Sequence, residues 1–169
     1  MPQRCIAVVG PGEGADERAL ADASALGRLI AEHGWVTLTG GRAVGVMAAA
    51  ADGAASVGGL AIGLLPGADR GDAAPALTVA LPTGLGEARN AVLVTAADAV
   101  IGCGLSPGTA SELALALRLG RPTVLVRPAA ASAAFFAALA DDTRLHVAGT
   151  PADAVAWLAA TLPDAATGP

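Results

Sequence analysis

The densest set of groups able to do chemistry lies at 102–112, Gly102-Cys103-Gly104-Leu105-Ser106-Pro107-Gly108-Thr109-Ala110-Ser111-Glu112. An apolar run precedes it and another follows, so its second half opens a helix. Ser106, Gly108 and Thr109 there would offer amides and hydroxyls to an anion, because first-turn N–H groups lack intrahelical acceptors and the helix dipole favours negative charge. Glu112, one turn further on, faces the same cleft. The spacing Thr109-x-x-Glu112 also fits a capping box, in which the glutamate does no more than satisfy the helix start.

Two further glycine loops stand at strand-to-helix junctions. Gly10-Pro11-Gly12-Glu13-Gly14-Ala15 matches GxGxx[GA], with Gly10 and Gly12 allowing a phosphate close to backbone amides. The acid that grips a ribose in dinucleotide enzymes is missing after the second strand, where Thr39-Gly40-Gly41 stands, so an ordinary NAD site is excluded. In that second loop Gly40, Gly41 and Arg42 are candidate phosphate contacts, the arginine by charge. The alternative is purely structural: the glycines serve tight turns and close packing. Arg89, ahead of an apolar helix, is either a ligand-binding guanidinium that could pair with Glu112 or an exposed first-turn residue.

Alternating elements must position these loops. Cys5–Val9 reads as a strand, Glu17–Glu32 as a helix closed by His33-Gly34, Trp35–Thr39 as a strand and Val44–Val57 as a helix. Strands follow at 60–65, 77–80, 99–102, 123–126 and 145–147, and helices at 87–97, 109–119, 132–139 and 151–162, the last with Thr150 as N-cap. This order predicts an open, mostly parallel Rossmann-like α/β sheet with helices on both faces, in one domain over 1–163 followed by a flexible tail at 164–169. Ligands of such sheets bind beyond the carboxyl ends of the strands, where all three loops fall.

Composition removes several function classes. The formal charge is −5 and aromatic residues make up 2% of the chain, which disfavours nucleic-acid binding by a basic surface with stacking rings. All ten basic residues are arginine, so a lysine Schiff base with pyridoxal phosphate cannot form. No uninterrupted apolar window of about 20 residues exists to span a bilayer, and two separated cysteines with no leader-like start predict a reducing cytoplasm. His33 and His146 lack neighbouring ligands at zinc spacing, so no metal site is expected; His33 fits a helix end. No serine lies in a GxSxG elbow. The helix at 44–57 and the segment Leu113–Leu117 are nearly free of charge, which predicts a homodimer interface or, alternatively, burial inside one chain.

Taken in order, Gly40–Met47, Gly86-Glu87-Ala88-Arg89-Asn90, and the segment ending in Gly108, Thr109 and Glu112 resemble the motifs of the SLOG superfamily, over roughly residues 4 to 127. That superfamily holds the LOG proteins, often labelled "possible lysine decarboxylase", and the Gly-Glu-Ala-Arg-Asn wording is similar to the molybdenum-cofactor carrier branch. The resemblance implies a protein that binds a phosphorylated, nucleotide-type ligand or a molybdopterin-type cofactor and requires no cofactor of its own. It also implies dimers that pair into tetramers. The alternative it carries is a phosphoribohydrolase that cleaves the N-glycosidic bond of a nucleoside 5'-monophosphate, with Arg89 and Glu112 as the catalytic residues. Leu105-Ser106 stands where the family has a glycine pair, Pro107 removes an amide donor, and Asn90 replaces the lysine of the LOG enzymes. A third reading is a partner-binding domain with vestigial loops.

Overall fold

A computed structural model describes residues 3–140 and 143–162, so the tail expected at 164–169 lies outside the described residues. Seven strands form one sheet, all named pairs parallel: β1 (Cys5–Val9), β2 (Val36–Thr39), β3 (Ala61–Leu65), β4 (Val79–Pro82), β5 (Ala99–Cys103), β6 (Thr123–Val126) and β7 (Leu145–Ala148). Their order across the sheet is β4-β3-β2-β1-β5-β6-β7. The chain therefore winds outward from β1 in one direction, returns, and winds outward from β5 in the other. Between β1 and β5 successive connections leave on opposite faces, which opens a crevice at the carboxyl ends of those strands.

The helices are α1 (Glu17–Glu32), α2 (Gly45–Ala55), α3 (Arg89–Ala96), α4 (Pro107–Arg118), α5 (Ala130–Leu139) and α6 (Pro151–Thr161). Period-two alternation in β1 sorts the core into two halves. Ile6 and Val8 pack with Leu26, Ile30, Val46, Val155 and Leu158 from α1, α2 and α6, whereas Ala7 and Val9 pack with Leu93, Leu113 and Phe136 from α3, α4 and α5. This is the three-layer arrangement that the alternating elements predicted.

The apolar helix α2 has an explanation inside the chain. Gly27 of α1 and Gly53 of α2 let the two backbones touch: a β-carbon on Gly27 would collide with the Ala50 carbonyl, and one on Gly53 with the Ser24 carbonyl. Val46, Met47, Ala50, Ala51, Gly53 and Ala54 are buried as a result. On α4, Leu113 and Ala116 are buried, while Leu115 and Leu117 are only partly so.

Boundaries moved where capping chemistry decided them. Ser106 caps α4 by accepting from the Thr109 amide at 3.2 Å, and Pro107 occupies the first helical position, where its missing N–H costs nothing. The helix thus begins two residues before the expected Thr109. The capping-box reading of Thr109 and Glu112 is corrected accordingly: the cap is Ser106, and Glu112 is left available for other contacts. At β4, on the sheet edge, Pro82 supplies no N–H, and Arg70 donates from Nε to the Ala80 carbonyl at 3.0 Å.

Candidate functional site

The crevice beyond β1 is built from four chain segments. β1 delivers Val8, Val9 and Gly10; Gly40 ends β2; a single-turn 3-10 helix at Gly86–Ala88 leads into Arg89 and Asn90; and the α4 start supplies Ser106, Gly108, Thr109 and Glu112. Gly10 has no room for a side chain, since a β-carbon would strike the Cys103 carbonyl and Val46. At Gly40 a β-carbon would strike the Arg89 guanidinium and the Met47 sulfur. Glycine at 40 is thus what allows the arginine to lie across the floor of the cleft.

Arg89 and Glu112 meet there, with Nη1 and Oε1 3.7 Å apart and side chains only 10% and 9% exposed. The alternative of an exposed first-turn arginine is overturned: Arg89 is buried beneath Gly40. Its Nε has no hydrogen-bond partner among the described residues. A buried guanidinium N–H left without an acceptor is costly. Burial pushes the arginine pKa down while Glu112 and Glu87 oppose that shift. Arginine nevertheless stays a cation in proteins.

Burial raises the Glu112 carboxyl to about 7, against the lowering influence of Arg89. Near neutrality it is therefore divided between acid and base. The folded state binds this proton more tightly than the unfolded chain does, so the associated stability is complete below the ordinary glutamate range and is lost as pH rises through about 7. The wild type is expected to lose on the order of 2 kcal/mol between about pH 5 and pH 8 from this group, a component absent in Glu112→Gln. Urea unfolding of both proteins across that range checks it, and parallel curves would refute it.

The α4 start faces the same space. The Ser106 and Thr109 hydroxyls lie 2.9 Å apart, and Thr109 is buried. Of the residues singled out from the sequence, Gly10, Gly40, Arg89, Ser106, Gly108, Thr109 and Glu112 line one cleft. Gly12, Gly41 and Arg42 lie outside its lining. Gly12 packs near Met47 and Val44, and Gly41, at φ +79°, sits over the backbone of Gly63, where only glycine is unstrained. Arg42 pairs with Glu13 at 3.2 Å, tying the second loop to the first. The first loop itself docks on α2, since Val46 donates to the Pro11 carbonyl at 3.0 Å, and α1 is capped by Asp16 rather than left open for a phosphate. Met47, Glu87 and Asn90 line the cleft without having been singled out as site residues. All three fall within the motif segments Gly40–Met47 and Gly86–Asn90, which was the available signal.

The described residues hold no cluster of three or more histidine, cysteine or acidic side chains placed to bind a metal ion, and no helix among them is long and apolar enough to cross a membrane. His33 ends α1, its Nδ1 2.9 Å from the Leu29 carbonyl, and His146 meets Asp153 at 3.1 Å. Cys103 is buried against the Ala19 carbonyl with its thiol pushed up to about 12 by burial and then by Asp22 and Asp16.

A doubly wound parallel sheet, with a buried arginine and the capped start of α4 at its switch point, defines a Rossmann-like protein with a cleft at the strand carboxyl ends. Within that class, the chain belongs to the SLOG cluster4 family, whose model matches residues 3–155. It is similar to the molybdenum cofactor binding protein of Rippkaea orientalis, at 41% identity and a TM-score of 0.94 over 96% of this chain and 99% of that one. The molybdenum cofactor carrier protein of Chlamydomonas reinhardtii is also similar, at 40% identity and a TM-score of 0.90 over 95% and 99% of the two chains. A protein of Archaeoglobus fulgidus is 40% identical over 123 residues, 73% of this chain and 80% of that one.

Proposed function

We propose that this protein is a molybdenum-cofactor carrier-like protein that binds a phosphorylated, nucleotide-type ligand by its anionic end. The observation that carries the reading is the buried Arg89, which lines one cleft together with the start of α4. The donor set suits a phosphate: a fixed guanidinium, two hydroxyls, and helix-start amides around Gly108. The cleft encloses only about 80 Å³, small against the roughly 300–1,000 Å³ of sites that swallow a whole small molecule. It therefore grips the anionic group and leaves the rest of the ligand outside.

A pterin cofactor bound in this way would bring its own metal and redox chemistry. The protein's part is to hold the phosphate through Arg89, Ser106, Gly108 and Thr109. Glu112 holds or releases a proton beside it.

One observation favours a second reading, a LOG-type phosphoribohydrolase: the Glu112 carboxyl is raised to about 7 in the same cleft. A general acid or base works best when its pKa lies near the working pH. Incubation with AMP and with an N6-substituted AMP, followed by analysis for free base and ribose 5-phosphate, separates the two. The carrier reading expects saturable binding without base release; base release abolished by Glu112→Ala would establish the hydrolase instead.

The proposal includes a homodimer, with tetramers by pairing of dimers. Its support is the partly buried Leu115 and Leu117 on α4 and the exposed Val92 on α3, two helices that pack together. Light scattering on the eluting peak is expected to give a multiple of the 16.2 kDa chain mass, and the mass of one chain at micromolar concentration would defeat this part.

A further inference from the structure

We propose that a second cavity, beyond the carboxyl ends of β5 and β6, binds a small amphipathic anion: an aromatic or aliphatic body carrying one carboxylate, sulfonate or phosphate. It measures about 410 Å³, and its lining shares no residue with the Arg89 cleft. The loop after β5 divides the two spaces. Ser106 lines the first, whereas Gly104 and Leu105 line the second. Leu105, which breaks the glycine pair of the family motif, thus supplies apolar wall to this cavity. The inference stands whether or not the Arg89 cleft holds a phosphate.

Both halves of the ligand follow from the lining. Leu113, Phe136 and Leu125 are buried beneath the cavity, while Leu105 at its wall is 48% exposed, so an apolar body would cover the Leu105 side chain that the fold leaves open. The rim carries two arginines, with Asp16 beside them. Arg18 has no ion pair or hydrogen bond among the described residues, and Arg127 engages Asp22 through Nε alone, at 3.3 Å. Of the two acids here, Asp22 pairs with Arg127, and Asp16, which also lines the cavity, accepts from the Ala19 amide at 2.7 Å, so Arg18 is the cation that an anionic ligand would meet. Helix α5 begins at the same rim with Ala129 as N-cap and no side chain capping it, which leaves its first-turn amides open beside the Ser132 hydroxyl. Ten residues of helix stand behind those amides.

Arg127 also stands out in its backbone conformation. At φ +48° it is the one non-glycine residue in the left-handed region among those described. Glycine would hold that turn without strain, yet an arginine is placed there and its side chain reaches the cavity.

The test uses 1-anilinonaphthalene-8-sulfonate, whose ring system and sulfonate match the two halves, with the intact protein followed by fluorescence and by amide shifts. Saturable binding of one dye per chain is expected, with shifts at Gly104, Val126 and Ala130–Ser132. Ser132→Trp, which fills the cavity, should abolish it. Arg18→Gln, at an exposed position, should weaken it about tenfold, the loss of one charge-assisted hydrogen bond. The uncharged N-phenylnaphthylamine should bind about tenfold more weakly for the same reason, and Arg89→Ala should bind the dye as the wild type does. Should Ser132→Trp fail to fold, the Arg18→Gln and uncharged-dye arms still decide the matter. Absence of saturable binding overturns the proposal. So does equal binding by wild type and Arg18→Gln with shifts confined to the exposed Phe135 and Leu139, which would mark simple adsorption to an apolar surface.

Discussion

Gly53→Ala is expected to lower the unfolding free energy by about 3 kcal/mol, against the sign that helix propensity alone would give. In an ordinary helix interior the change stabilises by up to about 1 kcal/mol, because alanine loses less backbone freedom than glycine. Here the new methyl would collide with the carbonyl and α-carbon of Ser24, which are backbone atoms of α1 and cannot rotate away. The helices must separate, opening the contact between Gly27 and Ala50 as well. Because the obstruction is backbone, Ser24→Gly should give no rescue. Urea titration of the single and double variants measures both effects, and a Gly53→Ala protein as stable as the wild type would show that α1 and α2 do not touch at this point.

Arg89→Ala is expected to weaken AMP binding by at least about 100-fold, since two charge-assisted hydrogen bonds are lost at about 1.5–3 kcal/mol each. Loss of the cation also removes the one nearby influence that lowers the Glu112 pKa, so the carboxyl stays protonated at neutral pH and the fold is spared a buried lone anion. Lysine should recover little, because a point charge on a flexible stem cannot reproduce a planar fork held beneath Gly40. Gly40→Ala tests the same site without touching the charge. Its methyl would occupy the space of the guanidinium, so binding should fall although the arginine remains. Calorimetric titration with AMP at neutral pH reads all three variants; Gly40→Ala binding as well as wild type would detach Arg89 from the proposed role.

The sequence shows these elements and contacts with unequal clarity. Helix α1 and strand β1 could be delimited to the residue, since an apolar run ending in Gly10 and a helical stripe closed by Gly34 are local signals. The start of α4 could have been placed from Ser106-Pro107, an N-cap followed by proline, had Thr109-x-x-Glu112 not offered a competing cap. Arg89 and Glu112 lie on different helices, and no periodicity reveals that they meet. The charges of Arg89 and Glu112 made their pairing one of several options, and the packing beneath Gly40 explains how it is reached. Arg42 illustrates the opposite case: its charge suggested an anion contact, but Glu13 in the neighbouring loop has taken its guanidinium. The second cavity draws its walls from α1, β5, α4, β6 and α5, so no single segment carries a trace of it.

The treatment of the outer strand β4 bears on how copies of this chain can come together. An edge normally offers a row of free donors and acceptors to which another strand can add. Here Pro82 has no hydrogen to give, and the Ala80 carbonyl already receives one from Arg70. That rim of the sheet is thus a poor template for lengthening it, and growth of the sheet from one copy into the next is discouraged on the β4 side.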